Sequence, residues 1–185
     1  MCRIEHYSTA MPDQQDQYIA LYIDTWQRNP YRELFTRDEV LASVEINRQF
    51  LYLLVDGGAV LGFVGGRPLS QCDFFDYACV PPVDSEKGFY IDELGVDFAH
   101  RKSGFGQKLT EYLIEVARLK EFNQFVLRTH QSPENPAARF YERLGFETRL
   151  NMDGQVHGID TQHRRVDTAT PEVDFRVYYY KTCRP

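Results

Sequence analysis

A chain of 185 residues has room for one domain, and 43% hydrophobic with 26% charged residues is globular composition, which excludes a disordered chain or a fibrous repeat. The net charge of −6, from 21 Lys and Arg against 27 Asp and Glu, opposes general nucleic-acid binding, which clustered basic residues carry. No stretch approaches the ~18 uninterrupted apolar residues of a membrane span, and Cys2, Cys72, Cys79 and Cys183 form no Cys-x-x-Cys pair, so we expect a cytoplasmic chain with free thiols and no membrane partner.

Residues 4–8 predict a short strand. Pro12 and Asp13 then open a helix with an apolar face at Tyr18, Ile19, Tyr22, Ile23 and Trp26, which Asn29-Pro30 ends. Thr36 with Glu39 three residues on forms a capping box for a second helix through Val40, Leu41, Val44 and Ile46. Two β-rich runs, 50–55 and 59–64, flank Asp56-Gly57-Gly58 and read as a hairpin. Residues 68–88 read as an excursion from the core, leading into a fourth strand over 89–97.

Apolar positions from Phe105 to Leu119 recur at helical spacing within 104–122, and 124–129 reads as a buried strand. A short amphipathic helix over 133–144 is stopped by Gly145, followed by a strand over 146–150. Residues 151–171 read as a polar loop and 173–181 as the last strand. Only the helix between the fourth and fifth strands is a crossover long enough to join parallel neighbours. The expected fold is a single α/β domain over 1–185 with a mixed, mostly antiparallel sheet.

The segment from Asp92 to Leu109 ends a strand in a cationic, glycine-containing turn that enters the long helix. Gly104 and Gly106 let a phosphate approach the backbone, the first helix amides point outward unpaired, and Arg101 and Lys102 add charge, so this turn suits an anion. It is not a P-loop, because Gly106 is followed by Gln107-Lys108-Leu109. It also lacks the third glycine of a dinucleotide fingerprint.

About 30 residues downstream, a strand is followed by Asn135-Pro136-Ala137-Ala138-Arg139-Phe140-Tyr141-Glu142-Arg143-Leu144-Gly145-Phe146. Together the two blocks resemble the GCN5-related N-acetyltransferase superfamily. The resemblance implies a seven-stranded sheet flanked by about four helices and splayed between strands four and five, with acetyl-CoA as acyl donor and no metal. It implies that Leu94 and Val96 offer backbone groups to the pantetheine arm, with a bulge near Gly95, and that an amide near them holds the oxyanion. Arg101, Lys102, Ser103, Gly104, Phe105, Gly106 and Gln107 would wrap the pyrophosphate, and Asn135 and Ala138 would also face the cofactor. Tyr141 would be the general acid for the thiolate. The spacing departs by one residue: relatives carry the Asn seven before this Tyr, whereas Asn135 lies six before Tyr141 and Glu134 holds the expected place.

An ammonium acceptor must lose a proton before it attacks, which calls for a base. Asp92 and Glu93 are the candidates, and strand alternation lets only one face the cleft unless a bulge intervenes. Trp26, Tyr31, Phe35, Phe74, Phe75 and Tyr77 could wall an acceptor pocket. His157 and His163 match no zinc spacing. The function expected is N-acetylation of a primary amine, of a small molecule first and of a protein second, by direct attack in a ternary complex. The alternative is an acyl-CoA-binding sensor without turnover. Tyr178, Tyr179 and Tyr180 offer a surface for a homodimer.

Overall fold

A computed structural model describes residues 2–28, 30–73, 83–131, 135–148, 158–165 and 171–183. The described elements run β1 (Arg3–His6), α1 (Pro12–Gln27), α2 (Arg37–Asn47), β2 (Tyr52–Asp56), β3 (Ala59–Pro68), β4 (Gly88–Val96), α3 (Phe105–Arg118), β5 (Gln124–His130), α4 (Pro136–Arg143), β6 (Glu147–Thr148), β7 (Gly158–Arg164) and β8 (Pro171–Thr182). Local chemistry sets their ends. Pro12 starts α1, and the Gln14 side chain returns to accept from the Met11 amide at 2.8 Å. The capping box of α2 forms in both directions: Thr36 Oγ1 accepts from the Glu39 amide at 3.3 Å, and Glu39 Oε2 accepts from the Thr36 amide at 2.8 Å. Gly57 and Gly58, at φ of 58° and 90°, supply the two left-handed residues that a tight β2–β3 turn requires.

The strands form one sheet in the order β1-β2-β3-β4-β5-β8-β6, with β7 also paired to β8. Among the described strands only the β4–β5 pair is parallel, and α3 makes its crossover as the sequence predicts. Alternation along β2 divides the core. Leu53 and Val55 meet α1 and α2 through Tyr18, Tyr22 and Val44, whereas Tyr52 and Leu54 meet α3 and α4 through Leu109, Leu113 and Tyr141. Thus each face of the sheet is covered by two helices.

Three expectations are corrected. Among the described residues the sheet has eight strands rather than seven, because β7 arises inside the stretch read as a polar loop. It is an edge strand rich in polar residues, held by its main-chain ladder to β8 from Gly158–Val177 to Arg164–Pro171, and carries no apolar alternation to betray it. The tyrosine run does not offer a dimer surface: Tyr178, Tyr179 and Tyr180 are buried within the chain, Tyr179 on the α3–α4 side and its two neighbours with Tyr90 and Val126 on the other. The long helix ends at Arg118, before a turn in which Glu121 takes a φ of 69°. Cys2, Cys72 and Cys183 are free thiols, while Cys79, Phe74, Phe75, Tyr77, Glu134 and His157 lie outside the described residues.

Candidate active site

The sheet opens at the parallel β4–β5 pair. β4 and β5 are in register at Gly88–Gln124, Phe89–Phe125 and Tyr90–Val126, and no pair follows. From Ile91 onward β4 therefore continues with β3 on one side and a gap on the other. Because the Asp97 amide donates to Leu61 O at 2.9 Å, antiparallel alternation turns the backbone groups of Gly95 toward β3 and those of Leu94 and Val96 toward the gap.

The bulge does not sit at Gly95. Gly65 pairs with Glu93 and Gly66 with Ile91, so Asp92 is the extra residue, three positions before the place expected. Gly95 instead stays in register with Phe63, and an added Cβ would lie 2.3 Å from the Phe63 ring: this glycine is required by packing. Gly65 makes room for the Glu93 side chain, since a Cβ there would meet Glu93 Oε1 at 2.7 Å.

Beyond β4 the chain forms a concave turn of free amides. Lys102 and Gly104 both adopt left-handed backbone, at φ of 65° and 80°, and the alternation tips successive N–H groups to one side. The amides of Lys102, Ser103, Gly104, Phe105, Gly106 and Gln107 donate to no described group; the first bond of α3 is Lys108 to Gly104 O at 3.0 Å. The sequence marks the glycines but not the left-handed lysine. Arg101 is half-buried, its Nε donating to Val96 O at 3.2 Å and its guanidinium 5.2 Å from the exposed Phe98 ring, which Arg28 also approaches at 4.8 Å. Ala138 lies on α4 beside Ala137 and Phe140, and the Phe140 ring is the nearest group to Gly106.

Glu93 is 3% exposed and surrounded by donors: Tyr18 Oη at 3.3 Å and Asn47 Nδ2 at 3.4 Å to Oε1, and Ser43 Oγ at 3.4 Å to Oε2. Burial, reinforced by the Asp92 charge, nevertheless pushes its carboxyl up to about 8. Asp92, displaced by the bulge, shares the same Asn47 amide at 3.2 Å and pairs with Arg67 at 3.3 Å. Glu93 is thus the carboxyl placed to carry a proton near neutrality, and Asp92 is the charge that helps set it.

A cavity of about 30 Å³ occupies the opening, lined by Asp92, Glu93, Trp26, Tyr31, Tyr141 and Arg176 among others. Tyr141 sits on α4 against Phe146 and Tyr179, and its hydroxyl makes no hydrogen bond to a described residue. Burial holds it well above the ordinary phenol range, so it stays protonated. Asn135 caps α4: its Oδ1 accepts from the Ala137 amide at 3.0 Å, and its Nδ2 donates to Thr129 Oγ1 at 2.9 Å and His130 O at 2.8 Å. Its side chain is thereby committed to joining α4 to the end of β5. Phe35 meets Tyr22 edge-to-face rather than lining the cavity. A larger open depression of about 490 Å³ lies on His6, Ser8, Glu45 and their neighbours, none of which lines the split.

Sequence reasoning missed a buried ionic network beside this cavity. Arg176 pairs with Glu33 and lies 3.6 Å from Asp174, Arg165 pairs with Asp174 and Glu172, and His130 Nε2 lies 3.4 Å from Asp174 Oδ1. It fastens the segment between α1 and α2 to β7 and β8, where Leu34 N also donates to Arg164 O at 2.7 Å. His130, half-buried here, is held below the usual imidazole range by burial. The only sequence trace of the network is charge at alternate positions, Glu172, Asp174 and Arg176, ahead of the tyrosine run.

Residues 11–146, from α1 to the end of the α4 cap, match the acetyltransferase (GNAT) family. The chain belongs to that family. Mouse N-acetyltransferase 8F1 is 23% identical over 137 residues, 70% of this chain and 57% of that protein, so this GNAT chain spans little more than half the length of that relative. Among solved structures, an N-acetyltransferase from Staphylococcus aureus Mu50 shares its fold with a TM-score of 0.67 at 17% identity, covering 98% of both chains. The Salmonella typhimurium protein yncA, solved with its cofactor acetyl-CoA, has a TM-score of 0.65 at 16% identity over 100% of this chain and 94% of its own. The open β4–β5 pair is thus placed within a GNAT fold. Among the described residues, no helix is long and apolar enough to cross a membrane.

Proposed function

We propose that this chain is an acetyl-CoA-dependent N-acetyltransferase that acetylates a primary amine, of a small molecule first and of a protein second, by direct attack in a ternary complex. The observation that carries this reading is the loss of β4–β5 pairing after Tyr90–Val126, directly upstream of the free amides of residues 102–107. The residues fit the donor. Inward-turned backbone at Leu94 and Val96 matches an amide-bearing arm, and the concave amide turn with Arg101 and Lys102 matches a diphosphate. Bound acetyl-CoA supplies an activated thioester and a thiolate leaving group.

The remaining roles belong to the chain. Glu93, opening on the cavity, takes the proton that an ammonium acceptor must lose, directly or through one water. Tyr141, protonated and with an unengaged hydroxyl on the same cavity, returns a proton to the departing sulfur. An amide of the 94–96 segment faces the charge that develops on the thioester oxygen. The Arg101 side chain, now on Val96 O, must leave that carbonyl for the arm and turn to the diphosphate. Residues 1–185 act as one such domain in this reading, without a metal. The free thiols of Cys2, Cys72 and Cys183 support a reducing, cytoplasmic setting.

A thiol-release assay with acetyl-CoA against a panel of primary amines tests the proposal. Amine-dependent release supports it. Saturable coenzyme A binding with no release from any amine would favour a non-catalytic sensor.

A further inference from the structure

Two residues that line this cavity carry buried N–H groups with no acceptor among the described residues. Arg176, 6% exposed, reaches the opening from β8 with its terminal nitrogen paired to Glu33, while its Nε–H is buried and unpaired. Trp26, in the last turn of α1, lines the same cavity, and its indole Nε1–H is likewise buried without a partner. Buried N–H groups without acceptors are rare in folded proteins, and two on residues lining one small cavity point to an oxygen that they turn to meet there. Glu93 and Asp92 lie on β4, and Arg176 lies across the opening on β8, beyond β5. The site therefore presents carboxyls from β4 and a guanidinium from across the opening, with the Trp26 indole reaching it from α1.

Resting on the acetyltransferase reading and deepening it, we infer that the acceptor is an α-aminoacyl compound, whose amine faces Glu93 while its carbonyl or carboxylate oxygen accepts from Arg176 Nε–H and Trp26 Nε1–H. The small volume between the two sides suits an amine and an oxygen borne on neighbouring carbons. Arg176 is already neutralised by Glu33 and Asp174, so a peptide carbonyl satisfies the donors as well as a free carboxylate does. A plain alkylamine would bury both donors unpaired, and sites built to bond a polar group reject analogues that lack it.

The test compares L-phenylalanine, L-phenylalaninamide and phenethylamine, alike in ring and amine, as acceptors in the thiol-release assay. In the wild-type chain, kcat/KM for an α-aminoacyl member should exceed that of phenethylamine by about a hundredfold or more. Trp26→Phe keeps the aromatic packing and removes one donor; Arg176→Lys keeps the charge beside Glu33 and removes the other. Each should lower that ratio about tenfold while the coenzyme A thermal shift is retained, and taking the ratio cancels differences in amine basicity. Turnover of both L-phenylalanine and its amide assigns the shared carbonyl, and turnover of the acid alone assigns a free amino acid. Equal use of phenethylamine, or variants that depress all three acceptors alike, would overturn the inference and leave the transferase reading standing. Absence of thiol release from every amine overturns both.

Discussion

Replacing Glu93 by glutamine separates two consequences of one buried carboxyl. In an unfolded chain a glutamate titrates near 4.3, whereas Glu93 in its pocket titrates at about 8, chiefly because burial disfavours its charge. Between those values the folded state holds a proton that the unfolded state has released. Stability from this group is therefore complete below about pH 4.3, declines as pH rises, and is lost once pH passes about 8. At about 1.4 kcal/mol per unit, the full decline is on the order of 5 kcal/mol. The substituted amide cannot ionise, and near pH 5 it resembles the protonated acid that Tyr18, Ser43 and Asn47 surround. Urea unfolding at pH 5, 6.5 and 8 should show E93Q close to wild type at the lowest pH and progressively more stable above it. Thiol release should move the other way, with kcat falling about a hundredfold and the rising limb near pH 8 gone. Parallel stability curves from pH 5 to 8, together with unchanged kcat, would refute both the buried-acid argument and the assignment of the base.

Tyr141→Phe should lower kcat by about a hundredfold while keeping the coenzyme A thermal shift, because its hydroxyl supports no described neighbour; single-turnover kinetics would check it, and an unchanged kcat would remove Tyr141 as the acid. Arg101→Ala should weaken coenzyme A binding about tenfold by removing the charge beside the amide turn, and calorimetry at two salt concentrations should show a weaker salt dependence than the wild type. Thr36→Ala removes the side-chain half of the α2 capping box and should cost about 1 kcal/mol in denaturant midpoint experiments, with acetyl-CoA affinity unaffected.

What the sequence showed, it showed through short-range chemistry. The Thr36–Glu39 box, the Gly57-Gly58 turn and the left-handed Gly145 that stops α4 are each settled within a few residues, so their residue types predict their geometry. The α3 crossover follows from connection length alone. The acceptor side of the cavity was hidden for the opposite reason. Glu33 and Arg176 are 143 residues apart and meet only after α1, β7 and β8 have assembled, and the alternating charge around Arg176 does not say where its partner lies. Strand β7 was hidden by its position at an edge, where polar side chains satisfy the ladder as well as apolar ones do.

The choice between the two adjacent acids shows how far local reading extends. Strict alternation places Asp92 and Glu93 on opposite faces of β4, and no residue count decides which face meets the opening. The extra residue opposite Gly65-Gly66 removes that alternation, bringing both carboxyls to the Asn47 amide. Once together they cannot share a role. Asp92 finds Arg67, and Glu93 meets only neutral donors beneath α1 and α2 while facing the Asp92 charge. Glu93 is thus driven toward neutrality beside an acid that has a guanidinium for a partner, the kind of pairing that proton-transfer sites exploit. Removing the neighbouring charge with Asp92→Asn should lower the proton affinity of Glu93 and shift the rising limb of the pH–rate profile to more acid pH. A profile that stays fixed would show that burial alone sets Glu93.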